Sequence, residues 1–214
     1  MNKRTILFIL AAVFLTTFCF SQTAKVDAWE QKINKERQPP EKVMDAIGLK
    51  AGMTIGEIGC GRGRYTVHLA KRVGNNGKVY ASDIDNKALD YLRERCKLNN
   101  IKNIKIILGK EDDALLPENK LDMAVMVWVY HMIPNPVPLL KNLKKSLKPG
   151  ATLVILDPPD SEINTEMKEM GIKMDPKYPT IKSRIEHGAK QAGFKMVKVL
   201  TFLPKDGIYI LKIK

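Results

Sequence analysis

The stretch Ile55-Gly56-Glu57-Ile58-Gly59-Cys60-Gly61-Arg62-Gly63, answered further on by Val79-Tyr80-Ala81-Ser82-Asp83, decides the fold. An apolar strand runs into an acid, then a loop with glycine at every second position, then a helix; a second strand ends in another acid. Gly59, Gly61 and Gly63 let the backbone turn tightly without a Cβ clash, so its N–H groups can come close to a ligand. Asp83 falls where a doubly wound sheet presents a carboxylate to the two hydroxyls of a ribose. The pairing predicts an α/β fold that binds a nucleoside-containing molecule.

Spacing separates the candidate cofactors. A dinucleotide fingerprint has the pattern G-x-G-x-x-G. Counted from Gly59, the third glycine place holds Arg64. Glu57, just ahead of the first glycine, would repel a pyrophosphate, which disfavours a nicotinamide-dependent oxidoreductase. A carboxylate there suits a ligand with positive charge, and S-adenosylmethionine has an ammonium, a sulfonium and no phosphate. The stretch resembles motif I of the class I S-adenosylmethionine-dependent methyltransferases, with its acid-x-Gly-x-Gly-x-Gly pattern. The resemblance covers Pro39 to Lys214 and implies a methyl-transferring enzyme. A non-catalytic cofactor-binding module of the same fold is the alternative.

Strand and helix alternate along the chain. Pro39 to Gly48 predicts a helix with prolines at its start, glycine at its end and Val43, Met44 and Ile47 on one face. Gly52–Ile58 is the first strand and Arg64–Val73 the helix after the loop; Asn75-Asn76-Gly77 is a turn. Lys78–Ser82 predicts a strand and Asn86–Leu98 a helix with Ala88, Leu89, Leu92 and Cys96 as its buried stripe. Ile104–Leu108 and the nearly continuous apolar run Leu121–Val129 are further strands, the latter covered on both faces. Pro138–Leu147 is a helix capped by Lys148-Pro149-Gly150, Thr152–Leu156 a strand, and Ile181–Ala192 a helix ended by Gly193. Lys195–Phe202 and Ile208–Ile213, joined by the turn Pro204-Lys205-Asp206-Gly207, predict an antiparallel hairpin. The whole is a doubly wound, mostly parallel seven-stranded sheet with a C-terminal antiparallel hairpin and helices on both faces. A seventh, antiparallel strand is the arrangement the resemblance implies.

The resemblance also assigns residues. Glu57 faces the methionine ammonium, Gly59 and Gly61 let the loop pass close to the ligand, Asp83 takes the ribose hydroxyls and Ile84 lies on the adenine. Asp85 is the helix cap instead. An acid after the third strand reads the adenine amino group; Lys110 stands at the usual place, so Asp112, or Asp113 after it, is assigned, with helix capping as the other reading. Trp128 lines the methionine end where many relatives carry a small polar or acidic residue. His131 is the histidine at the reacting edge, either a general base or a brace for the next loop. His68 and His187 fall on separate helices, so no metal site is expected. Asp157-Pro158-Pro159-Asp160 is similar to a nucleobase-methylating motif but follows the wrong strand and lacks its aromatic, and reads as a turn. The irregular stretch Asp157–Pro179, with Met167, Met170, Ile172 and Met174, is the expected lid over a small-molecule acceptor.

The ends and the bulk set bounds. Lys3 and Arg4 precede an apolar run from Ile6 to Phe20 that stops at Ser21, the pattern of a secretory signal peptide over residues 1–21. The run is short for a permanent span, and Phe18 before Cys19 is too bulky for a lipidation site. The expectation is cleavage after Ser21 and export; a cytoplasmic or membrane-anchored protein is the alternative. Residues 22–38 form a partly helical arm, and residues 39–214 one domain without internal repeat or linker. The formal net charge is +13, and removing the first 21 residues leaves 34 cations against 23 acids. The lysines are spread along the chain and not interleaved with aromatics, which predicts a solvated basic surface and no nucleic-acid partner. Cys60 and Cys96, one in the glycine loop and one in a helix, imply no disulfide framework.

Overall fold

The computed structural model describes residues 28–169, 171 and 176–214. The expected signal segment lies outside them, as do Met170, Ile172, Met174 and the side chain of Met167. The chain falls into two units that meet between Pro39 and Pro40. The first contains a helix, α1 (residues 28–36), after which the amides of Arg37 and Gln38 both donate to the Ile33 carbonyl.

The second unit runs α2 (Pro40–Ala46), β1 (Thr54–Ile58), α3 (Thr66–Val73), β2 (Lys78–Asp83), α4 (Asn86–Leu98), β3 (Ile104–Leu108), β4 (Leu121–Val127), α5 (Pro136–Ser146), β5 (Leu147–Asp157), α6 (Asp160–Glu169), α7 (Ile181–Ala192), β6 (Phe194–Leu200) and β7 (Gly207–Ile213). The strands form one sheet in the order β3-β2-β1-β4-β5-β7-β6. β1 to β5 are mutually parallel, and β7 is antiparallel to both neighbours. This is the sheet the sequence predicts, C-terminal hairpin included.

Period-two alternation in β4 explains how the faces are covered. Ala124 and Met126 enter a core with Leu139, Leu140 and Leu143 of α5 and Ile181, Ile185 and Ala189 of α7. Met123 and Val125 enter the opposite core, with Val43 and Met44 of α2 and Leu69, Ala70 and Val73 of α3. Each fully buried leucine or isoleucine contributes roughly 1.5–3 kcal/mol. α4 lays Leu89 and Leu92 against Ala81 of β2 and Cys60 of the glycine loop, while Ala88 and Cys96 are only half-buried.

Three stretches differ from expectation. β5 starts at Leu147, and Lys148-Pro149-Gly150 sits inside it instead of capping α5. Pairing shifts there, from Leu121↔Leu147 to Met123↔Thr152, and an irregularity of this kind tolerates a proline that lacks an N–H. β4 ends at Val127 because Trp128 leaves the strand with φ 59°. The expected irregular lid contains α6: the Pro159 carbonyl accepts from Glu162 and Ile163, and Asp160 and Glu162 put negative charge in the first turn.

Candidate functional site

Register brings the carboxyl ends of β1, β2 and β4 level, since Ile58 pairs with Ser82 on one side and Met126 on the other. The strand order reverses between β1 and β4, and doubly wound sheets bind ligands in the crevice at that point. The glycine loop folds over this edge. The amides of Gly59 and Cys60 donate to the Ser82 carbonyl (2.8 and 3.1 Å), that of Gly61 to Asp83 Oδ2 (2.7 Å) and that of Gly63 to the Cys60 carbonyl (2.9 Å). These four N–H groups, expected to face the ligand, are held within the chain and do not cradle a phosphate. The glycines themselves divide by role. A Cβ at Gly59 would run into Val129 and one at Gly63 into Leu92, whereas one at Gly61 meets nothing within 4 Å. Gly61 is therefore the point where the loop borders open space, and Gly59 and Gly63 permit close packing of the loop on β4 and α4.

Glu57 lies at the floor of the crevice, 2% exposed. Burial pushes its carboxyl up to about 7; the neighbouring Thr66 hydroxyl and Arg64 guanidinium pull the other way, and Asp83 adds to the rise. Its Oε2 has no hydrogen-bond partner among the described residues, and the same is true of the buried Tyr65 hydroxyl. A buried carboxylate oxygen left unmatched is unfavourable unless a donor arrives from outside.

Asp83 ends β2 half-buried, with Oδ2 on the Gly61 amide and Oδ1 on the Asp85 amide (2.9 Å). Asp85 accepts from the Lys87 amide (2.8 Å) and caps α4, as expected. Ile84 between them is an exposed apolar side chain, 60% accessible. Asp113 Oδ1 accepts from the Leu115 amide (2.9 Å) and is committed to its own turn. Asp112, exposed beside it, accepts from the Asn142 side-chain amide through its backbone carbonyl (2.9 Å).

At the end of β4 the chain makes a strained turn. Trp128 holds a left-handed φ of 59°, which costs a bulky residue about 1–3 kcal/mol and persists only where surroundings enforce it. Here the Trp128 amide donates to the Leu156 carbonyl (2.8 Å), and a 3-10 turn over Tyr130–Met132 follows. His131 in that turn is 1% exposed. Its amide donates to Asp157 Oδ2 and its Nδ1 lies 3.0 Å from Asp157 Oδ1, so one carboxylate grips backbone and ring together. Asp157 is fully buried; burial raises its pKa, and the hydrogen bonds and charge from His131 oppose that rise. The Arg184 guanidinium on α7 donates to the carbonyls of His131 and Ile133 (3.4 and 3.2 Å). His131 and Asp157 thus brace the β4 turn against β5.

Sequence reading took Asp157 as the first residue of a proline turn and missed its partner. A signal was present: like Glu57 and Asp83, it is an acid closing an apolar strand. It also missed the β6–β7 loop. Because Gly207 pairs with Asp157, residues 201–206 lie at the same edge as the glycine loop. Phe202 there is 49% exposed, and Lys205 reaches Glu162 of α6 (3.0 Å). Among the described residues no group of three or more His, Cys, Asp or Glu could hold a metal ion, and no helix is long and apolar enough to cross a membrane.

Comparison with known proteins agrees with this geometry. The model of a family described as a methyltransferase domain matches residues 49–200. Demethylmenaquinone methyltransferases of Staphylococcus aureus (strain MRSA252) and Staphylococcus carnosus (strain TM300) are 28% and 30% identical over 117 residues, 55% of this chain and 48% of theirs. The chain thus spans about half the length of these relatives. A SAM-dependent methyltransferase from Aquifex aeolicus superimposes with a TM-score of 0.73 at 26% identity, over 89% of this chain and 98% of that one. Geranyl diphosphate C-methyltransferase of Streptomyces coelicolor A3(2), in a complex containing S-adenosyl-L-homocysteine, has a TM-score of 0.67 at 11% identity, over 82% of this chain and 78% of that one, a likeness of fold alone. With its sheet order, its glycine loop and the family match over residues 49–200, the chain belongs to the methyltransferase-domain family.

Proposed function

We propose that the protein is an S-adenosylmethionine-dependent methyltransferase acting on a small-molecule acceptor. The observation that carries the reading is Glu57: a buried carboxylate with an unmatched oxygen, at the switch point of the sheet, beside a loop whose Gly61 opens onto space. Those residues fit the cofactor better than a dinucleotide, because they offer an anion to an ammonium, and the amides of Gly59, Cys60, Gly61 and Gly63 are already bonded within the chain and not offered to a pyrophosphate. When bound, the cofactor supplies a methyl group activated by a sulfonium. The chain's task is to hold it. Glu57 takes the ammonium, Gly61 borders the cofactor, Asp83 takes the ribose hydroxyls, Ile84 covers the adenine, Asp112 accepts from its amino group and Trp128 walls the methionine end. Alignment of donor and acceptor is then a proximity effect that can supply several kcal/mol of the barrier.

His131 serves this edge by position. Asp157 orients its ring through Nδ1, and for an acceptor that must lose a proton it is the base at hand. The acceptor side is bounded by α6, the Lys205–Glu162 pair and Phe202. The relatives named for demethylmenaquinone support a small, ring-bearing acceptor. Export is part of the proposal on the pattern of residues 1–21 alone, and processing would show as an N-terminus at Gln22. The test is methyl transfer from labelled S-adenosylmethionine to a panel of small hydroxyl-, amine- and quinol-bearing acceptors. Label in one of them, with S-adenosylhomocysteine formed alongside, supports the enzyme reading. Cofactor binding without transfer to any would favour the non-catalytic module.

A further inference from the structure

The acids of the site stand at the carboxyl ends of the parallel strands, and lysines gather at the opposite ends. Register that levels one set of ends levels the other: Thr54 at the start of β1 pairs with Lys78 at the start of β2. Lys102 and Lys120 stand just ahead of β3 and β4. β6 starts at this edge and β7 ends there, with Lys195 directly opposite Lys212. All of these lysines are exposed, and none forms an ion pair among the described residues. Like charges directly opposite in a ladder repel, and a sheet has only a small dipole to offset them. Lys144 and Lys190 lie in the last turns of α5 and α7, where helix C-termini favour cations, but no such effect favours the strand lysines. Of the acids at this edge, Asp122 takes the Lys148 ammonium (2.6 Å) and the Thr54 amide (2.8 Å), and Asp45 takes Arg72 (2.7 Å). Glu118 is exposed and outside any ion pair among the described residues. The balance is a surplus of positive charge that folding does not explain. Beside it Leu98, at the C-terminal end of α4 between Lys97 and Lys102 in sequence, is 85% exposed.

We propose that this lysine edge docks on an anionic lipid surface, with Leu98 entering the headgroup layer and the catalytic edge turned toward water. Lysine is a compact, hydrated point charge on a flexible stem, suited to a diffuse negative surface more than to a fixed phosphate. Strand ends about 4.8 Å apart spread the ammoniums over a broad front instead of one pocket. A nucleic acid would call on guanidinium forks and open aromatic faces. Here the strand-end cations are lysines, and the ring of Tyr80 is engaged by the ammoniums of Lys78 and Lys105, 5.6 and 5.9 Å from its centroid. An exposed leucine among lysines is the composition of an interfacial contact, where an apolar side chain sinks between headgroups that the cations hold. Because the strands run from the docked edge to the site, the acceptor reaches the site from the aqueous side. The proposal goes beyond the methyltransferase reading and does not depend on it.

Co-sedimentation of the full chain with vesicles tests this, comparing phosphatidylcholine alone with phosphatidylcholine plus phosphatidylglycerol. Binding through the apolar run Ile6–Phe20 would appear with both and cancel in the comparison. The expected result is at least about tenfold stronger binding to the anionic vesicles at low salt, declining as ionic strength rises. A variant carrying Lys102→Gln, Lys120→Gln, Lys195→Gln and Lys212→Gln together should lose most of that preference. Its unfolding midpoint should match or exceed the parent's, because the Lys195–Lys212 repulsion is gone. Leu98→Ser should weaken binding to the vesicles and leave binding of a duplex oligonucleotide unchanged. Equal binding of the parent to both kinds of vesicle overturns the proposal. So does a preference that the fourfold variant keeps, which would belong to Lys3 and Arg4 instead. Tighter binding of the duplex oligonucleotide than of the anionic vesicles also overturns it and makes the partner a nucleic acid.

Discussion

Glu57 concentrates the tension between folding and binding in one side chain. Folding lifts its carboxyl from 4.5 to about 7, so between those values the folded protein holds a proton the unfolded chain has released. Stability falls as pH rises through that window, by at most about 3 kcal/mol at 1.36 kcal/mol per pKa unit. Glu57→Gln removes the ionisation and keeps the shape. Denaturant unfolding should find the variant more stable than the parent at pH 8, with the difference shrinking toward pH 4. Its affinity for S-adenosylmethionine should drop at least about tenfold, the scale of a lost charge-assisted hydrogen bond. The parent's affinity should rise from pH 6 to pH 8 as Glu57 ionises, while that of the variant stays flat over this range. A variant destabilised at pH 8 would mean that Glu57 is matched inside the protein. Asp83→Ala should abolish cofactor binding, with the added effect that the Gly61 and Asp85 amides lose their acceptor.

Elements act through how the loops close between them. The glycine loop is pinned to β2 by three hydrogen bonds, and its glycines should respond to substitution in different ways. Gly59→Ala adds a clash with Val129 to a left-handed φ of 70° and should cost about 2–3 kcal/mol of stability. Gly61→Ala meets no neighbour, so only the backbone term of about 1–2 kcal/mol applies, and the larger loss should appear in cofactor affinity. On the other wall, Asp157→Ala leaves a buried imidazole and a buried amide without their acceptor and should cost about 3 kcal/mol or more in thermal or denaturant unfolding. Asp157→Asn should retain part of that stability. These contrasts also mark what the sequence discloses. The glycine loop, the apolar parallel strands and the Asp85 cap are local patterns and were legible. The Asp157–His131 contact joins positions 26 apart that no local periodicity links, so its geometry waits on register. Lys148-Pro149-Gly150 reads locally as a helix stop, and only pairing with β4 turns it into a bulge within β5.

The whole domain is a platform whose two faces are closed by helices and whose one open edge gathers every candidate ligand group. Glu57, Asp83, Trp128, His131 and Asp157 belong to β1, β2, β4 and β5 or to the residues that follow them, and the parallel register delivers them to the same edge. The β7 reversal brings residues 201–206 to it as well, which the expected hairpin implied but did not locate against the site. Net charge of +13 favours anionic partners in general and does not choose among them, so selectivity for a cofactor lies in the edge and not in the surface. The edge is proposed to accept a cationic nucleoside ligand and to refuse a dinucleotide. The direct measurement is calorimetric titration of the protein with S-adenosylmethionine, S-adenosylhomocysteine and NAD. Micromolar binding of the first two with none of NAD is the predicted result. Binding of NAD, or of none of the three, would contradict it.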